Sequence, residues 1–254
     1  DAVKIIAKRY GIPEGAIGYA GLKDKFSVSY QYFTINRDVE KSTLDGVEII
    51  EVRKTEKFLS KGDLIGNEFE ITLNGCKGSP EKALEELQAR GMPNFFGPQR
   101  FGVHGNNHII GRFLLRREFH KVEEIIKKKI KSLSKDVLKF YIHAYQSWLF
   151  NQALDAYIMD ERKPYFKDVK MPGYKTMPGN SKIEKTMKAL LARDKITSKD
   201  FMINELRMSA SGAKRAAFIR VKVRFEKQKS KTKLYFTLPK GSYATTVIRE
   251  ISKE

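Results

Sequence analysis

In Gly21-Leu22-Lys23-Asp24-Lys25 a single carboxylate stands between two lysines, at a turn that leads into an alternating stretch. Flanking cations favour the ionised form of a carboxylate, which suits a nucleophile or a base. The same five residues also fit an ordinary turn aspartate that bonds its own backbone. A second segment, Asn94-Phe95-Phe96-Gly97-Pro98-Gln99-Arg100-Phe101-Gly102, packs aromatic rings, two amides and a cation into one loop. Such a loop can stack on an unpaired base and bond its edge. Its competing reading is an aromatic-plugged structural turn.

Other chemistries find less support. His104 and His108 lie four residues apart and could share a helix face, but no third ligand lies near them, so no metal site is expected. No Gly-x-x-x-x-Gly-Lys-Ser/Thr occurs, and no strand is followed by Gly-x-Gly-x-x-Gly, so nucleotide and dinucleotide binding have no motif. Cys76, the one cysteine, reads as structural and favours a reducing, intracellular setting. No apolar run approaches the roughly 20 residues of a membrane helix, and no signal peptide precedes Asp1.

The elements that must position these residues alternate irregularly. Ala2–Arg9 reads as a helix stopped by Gly11 and Pro13, and Phe26–Ile35 alternates like a strand. Val47–Val52 and Glu68–Leu73 read as strands, the second ending in an Asn74-Gly75 turn. Ser79-Pro80-Glu81 opens a helix that runs to Gly91. Helical patterns cover 107–117 and 118–131, and the clearest spans Asp136–Ile158, where Leu138, Tyr141, Ile142, Tyr145, Trp148, Leu149 and Ala153 keep helical spacing. Between Arg162 and Asn180 prolines and glycines recur and periodicity fades. Helices are expected around 183–193 and 198–209, then strands over 218–225, 233–238 and 243–251. The strands look hairpin-like rather than βαβ, so the fold class is α+β: a mixed, mainly antiparallel sheet flanked by helices.

The chain has 254 residues and a formal charge of +19, with 41% hydrophobic residues, enough to bury a core and too many for a disordered basic tail. A folded body of that charge points to a polyanionic partner, most simply nucleic acid, against the plainer reading of a solubilising surface. From Arg207 to Lys233 ten basic residues face one acid, Glu226. Within it Phe218–Phe225 alternates strictly, placing Ile219, Val221, Val223 and Phe225 on one face and Arg220, Lys222 and Arg224 on the other. Three cations in a row suit phosphate contact, although any half-buried strand turns something polar outward. The run from Arg112 to Lys139, with Lys127-Lys128-Lys129, reads instead as a solvated helix face laced to Glu123 and Glu124.

Taken together, Gly21-Leu22-Lys23-Asp24-Lys25 with Gln31, the Asn94–Gly102 loop, Tyr145-Gln146-Ser147-Trp148-Leu149-Phe150-Asn151, and Leu238-Pro239-x-Gly241-Ser242-Tyr243-Ala244-Thr245 with Arg249-Glu250 resemble the TruD family of tRNA pseudouridine synthases, in an archaeal-type form. The matches keep their order along nearly the whole chain.

The resemblance implies a cytoplasmic, cofactor-free isomerase. It would detach uracil from C1′ of a uridine in tRNA, usually at position 13, turn it and rejoin it through C5. Asp24 inherits the catalytic role, either attacking the sugar carbon or removing a sugar proton, and Asn94 and Phe96 match the family's active-site Asn and base-stacking Phe. Lys23, Gln99 and Arg100 join them as expected substrate-binding residues. Extruding the uridine costs a few kcal/mol that stacking and phosphate contacts must offset. Lys214 and Arg215, in the Ser211–Arg215 turn, with Arg220, Lys222 and Arg224, are the expected phosphate contacts. No DNA, membrane or protein partner is implied. The resemblance also implies a catalytic domain over 1–159 and 217–254, a short inserted domain over 160–216, and an N-terminal stretch, ahead of Asp1, that adds a basic residue and an aromatic. A non-catalytic RNA binder or chaperone on the same fold is the main competitor. A metal-dependent nuclease is weaker, because it needs clustered acids.

Overall fold

The structure, a computed structural model, describes residues 1–24, 26–74, 80–228 and 231–252. The chain divides into two compact units, Asp1–Asn67 and Glu68–Glu254.

The first unit is small. Helix α1 (Ala2–Tyr10) ends at Gly11, whose positive φ of 62° lets its N–H reach the Ala7 carbonyl. Strands β1 (Ile17–Tyr19) and β2 (Phe33–Ile35) pair antiparallel, with Ile17 opposite Ile35. Strands β3 (Ser42–Leu44) and β4 (Val47–Ile49) form a hairpin about Asp45-Gly46. Ile6, Ala7 and Ile17 are its buried apolar residues. The expected strand over Phe26–Ile35 shrinks to its last three residues: among the described residues no strand pairs with 26–32, and Val28, Tyr30 and Tyr32 stay exposed. Alternation alone cannot make a strand without a ladder partner.

The second unit holds two larger cores. One surrounds α5 (Lys135–Glu161), capped by Ser134, whose side chain accepts from the Val137 N–H. Its inward residues, among them Leu138, Ile142, Tyr145 and Leu149, are those the spacing predicts. Helix α3 (Asn107–Leu115) crosses α5 closely at Gly111, where any Cβ would strike the Tyr141 carbonyl. Rings from both helices stack here: His108 on Trp148 at 5.4 Å and Tyr145 on Trp148 at 6.0 Å. Helix α4 (Phe119–Ile126) stops short of the expected 131, because Glu123 accepts from the Ile130 N–H and from Lys129, folding the chain back. Lys127-Lys128-Lys129 therefore leaves the helix, although Lys129 keeps the expected ion pair. Helix α6 (Lys182–Arg193) starts with a capping box of Ser181 and Glu184.

The other core lies under a sheet of order β12–β13–β5, formed by β5 (Gly66–Asn74), β12 (Val223–Gln228) and β13 (Lys231–Pro239). It is backed by α2 (Pro80–Arg90) and α7 (Ala244–Ile251), with Leu84, Leu234, Phe236 and Val247 buried between. Gly91 ends α2 as expected, whereas Gly75 and the Ser79 cap lie outside the described residues. Two expectations are corrected here. The segment 243–251 is a helix: Thr245, Thr246, Val247 and Ile248 favour a strand locally, but Ala244, Val247 and Ile251 bury one helical stripe against α2. The helix expected over 198–209 is a 3-10 turn followed by a hairpin of β8 (Met202–Ile203) and β9 (Met208–Ser209). Arg117 donates to the carbonyls of Asp200 and Met202, acceptors that a continuing helix would need.

Between the cores, β7 (Asp168–Met171) pairs antiparallel with β10 (Ala213–Ala216), and β6 (Met92–Pro93) pairs with β11 (Phe218–Ile219). The basic alternating stretch thus splits into β11 and β12, because it changes partner at 220–222. Its faces survive the break: Ile219, Val221 and Val223 are buried, and Arg220, Lys222 and Arg224 are exposed. Among the described residues all six sheets are narrow, the pairs β1–β2, β3–β4, β6–β11, β7–β10, β8–β9 and β12–β13 are antiparallel, and no helix is long and apolar enough to cross a membrane.

Candidate active site

The chemistry-bearing residues fall on both units, and each set is built by its own unit. In the first, Asp24 lies in an exposed turn, its backbone carbonyl accepting from Ser27 Oγ at 2.8 Å. Lys23 turns its ammonium to Asn67 Oδ1 at 2.8 Å. Among the described residues Asp24 has no ion pair, and Lys25 lies outside them.

The second unit holds a pocket of about 320 Å³, at the small end of the roughly 300–1,000 Å³ range of ligand pockets. Asn94, Phe96, Arg215 and Ser242 line it with apolar Met171 and Ile219, and no acid does. Asn94 is 4% exposed: Nδ2 donates to the Ala216 carbonyl at 3.0 Å, and Oδ1 accepts from Arg215 at 2.8 Å and from Ser242 Oγ at 2.9 Å. Its own N–H donates to the Ala217 carbonyl. Phe96 is pinned through its backbone by the Asn151 amide, which accepts from its N–H at 2.9 Å and donates to its carbonyl at 3.0 Å. Its ring meets Phe150 and Tyr243 edge-on. Gly97 is required where this loop meets the 242–245 turn, since a Cβ there would stand 2.8 Å from the Tyr243 ring and 2.9 Å from Thr245 Oγ1.

Arg215 departs most from its expected place. Rather than reaching into solvent, it lies over the Phe96 ring at 3.8 Å and donates to the carbonyls of Asn94, Phe95 and Gly241 as well as to Asn94 Oδ1. Burial pulls its proton affinity down to about 10, with Tyr243 opposing and Arg100 adding to the fall, so it stays a cation at neutral pH. One guanidinium thereby fastens the 94–97 loop, β10 and the 241–242 turn, through the planar fork that lysine lacks.

The other expected residues distribute around this frame. Arg100 stands 5.6 Å from both the Phe96 and Phe140 rings, with Nε buried and without a partner among the described residues, and Gln99 is exposed. Lys214 is exposed at the pocket wall. Arg220 and Arg224 lie outside the pocket lining, over Phe166 and Tyr235, each at 4.4 Å, and Lys222 is exposed between them. His104 and His108 do not converge with a third ligand: among the described residues no three His, Cys, Asp or Glu do. The structural work of Asn151, Ser242 and Tyr243 was signalled only by the motifs that contain them. For Arg215 the sequence carried no signal beyond charge.

Chemically, this pocket can grip a flat ring against aromatic and aliphatic walls and meet anions at its lysine edge. It is lined by no carboxylate.

Known proteins resemble the chain along its length. A family model described as tRNA pseudouridine synthase D (TruD) matches residues 1–131 and 159–251, the 145–151 segment falling between the two stretches. The tRNA pseudouridine synthase D of Anaeromyxobacter sp. (strain Fw109-5) is 30% identical over 293 positions, covering 100% of this chain and 81% of that protein. The probable tRNA pseudouridine synthase D of Pyrococcus abyssi is 28% identical, covering 99% and 86%. The crystal structure of the putative tRNA pseudouridine synthase D (TruD) from Methanosarcina mazei superposes with a TM-score of 0.73 at 21% identity, over 100% of this chain and 84% of that one. With the family match running through both units, the chain belongs to the TruD family.

Proposed function

We propose that this protein is a tRNA pseudouridine synthase. The observation that carries the reading is the coincidence of the family match with a preformed pocket lined by Asn94, Phe96 and Arg215. The relatives bear that activity in their names, and this chain spans more than four fifths of each of those quoted.

The reaction breaks the N1–C1′ bond of uridine, turns the uracil, and forms a C5–C1′ bond. The proton lost from C5 is balanced by one gained at N1, so nothing is consumed. In this reading the extruded uracil occupies the pocket beside Phe96. Arg215 and Asn94 hold the shape of that pocket, since Asn94 Oδ1 already accepts from Arg215 and Ser242. Arg100 supplies a cation at its edge. Asp24 is the carboxylate that acts on the sugar. Lys214, with Arg220, Lys222 and Arg224, meets phosphates, and counterion release then gives affinity that falls steeply with salt. The uridine at position 13 is the target assigned. Residues 160–216 are assigned to a short inserted domain.

The test is tritium release from tRNA labelled at uridine C5, with pseudouridine mapped in the product. Turnover at position 13 is expected, and Asp24→Asn should lower it at least about a hundredfold while tRNA binding persists. A protein that binds tRNA and releases no tritium from any transcript is a binder, and the enzyme reading then fails.

A further inference from the structure

The ribbon of β7 and β10 places two lysines directly opposite each other: Lys170 pairs with Lys214 in an antiparallel register. Directly opposed residues share one face, with Cβ atoms about 4.5–5.5 Å apart, and like charges in that position repel. Both side chains are exposed, and among the described residues neither ammonium has a hydrogen bond or an ion pair. The backbone under Lys170 is fixed, because its N–H donates to Glu184 Oε1 at 2.9 Å. Lys214 stands on the pocket wall, one residue before the half-buried Arg215. The only acid on this face of the ribbon is Asp168, opposite Ala216 and diagonal to Lys214, with no ion pair to it within 4 Å.

A ribbon has no structural need for two opposed cations, and a single anion between them removes the repulsion. We propose that Lys170 and Lys214 together clamp one backbone phosphate of the RNA at the edge of the pocket. The inference rests on the tRNA reading above and adds Lys170 to it. The adjacency of Lys214 and Arg215 gives the clamp a place in recognition: one residue holds the backbone while the next holds the wall against which the base lies. A phosphate gripped here fixes the strand beside the extruded nucleotide, and Asp168 opposes it from the diagonal.

The test is filter binding of an unmodified tRNA transcript to the full chain over a range of KCl, with tritium release measured in parallel on C5-labelled transcript. The double variant should lower the slope of log Kd against log [KCl] by about 1, because one phosphate is shared, and Lys170→Gln or Lys214→Gln alone by less, because the remaining ammonium still meets that phosphate. Asp168→Asn should tighten binding. Without RNA, Lys170→Gln should raise the melting temperature, since it removes repulsion from the free protein. An unchanged slope in the double variant overturns the clamp, as does a double variant that loses about 2, the value for two separate phosphates. A wild type that makes pseudouridine while the double variant binds unchanged sinks the clamp and leaves the enzyme reading standing. A lysine-dependent slope in a wild type that releases no tritium does the reverse.

Discussion

Asn94 and Asp24 are both short polar residues in loops, and the molecule treats them oppositely. Asn94 is buried, with its amide and its backbone N–H and carbonyl all bonded. Asp24 is exposed, and among the described residues only its backbone carbonyl is held. The unit around Asn94 has two extensive cores, whereas the unit around Asp24 buries Ile6, Ala7 and Ile17. The pocket is therefore preformed, and the segment proposed to act on its ligand is sparsely supported. That division suits catalysis in which binding energy from remote contacts is used to order the reacting group.

The sharpest break of this comparison sets two variants side by side. Asp24→Asn should remove turnover with the melting temperature unchanged, as for surface substitutions generally. Arg215→Ala should cost about 3 kcal/mol of stability, because it strands Asn94, Phe95 and Gly241 acceptors in the pocket wall. Thermal melts with parallel tritium release separate the two, and equal destabilisation by both would erase the contrast. Next, Gly18→Ala forces a Cβ onto the Leu59 carbonyl and Thr34 Oγ1 in the smaller unit. About 1–3 kcal/mol should be lost there, read as protease sensitivity confined to residues before 67.

Asn151→Ala should cost about 1–2 kcal/mol by freeing both backbone groups of Phe96. Its effect on KM for tRNA should exceed that of any exposed change on α5. The smallest effect concerns pH. Burial pushes the Glu184 carboxyl up, but the Lys170 and Ser181 N–H groups and the Ser181 hydroxyl outweigh it and hold it below the ordinary range. Its contribution is thus present above the unfolded value near 4.3 and is lost as pH falls through the lower folded value. Glu184→Gln should flatten the acid limb of the melting curve, and an unchanged limb would assign that limb to other carboxylates.

Features with a local cause were legible in the sequence. The period of Leu138, Ile142, Tyr145 and Leu149 gave α5, and Gly11 and Gly91 marked their helix ends. The Asn94–Gly102 loop was legible as a shaped segment because three rings, two glycines and a proline crowd into nine residues without helical or strand spacing. What failed was decided at a distance. The 243–251 helix depends on α2, a partner far away in sequence, and the 198–209 segment is diverted by Arg117. Arg215 reads as one more cation of a basic run until the 94–97 carbonyls are brought to it. Likewise the opposition of Lys170 and Lys214 exists only in the register of two strands more than forty residues apart.

The stack of His108, Trp148 and Tyr145 has a further consequence. Trp148 is the sole tryptophan, so light emitted by indole comes from the α3–α5 crossing and from nowhere in Asp1–Asn67. Its near neighbour His108 has its proton affinity lowered, mainly by burial, and a neutral imidazole quenches a stacked indole less than a charged one. The protein thus carries a native optical reporter that follows one unit while the other orders or loosens unseen.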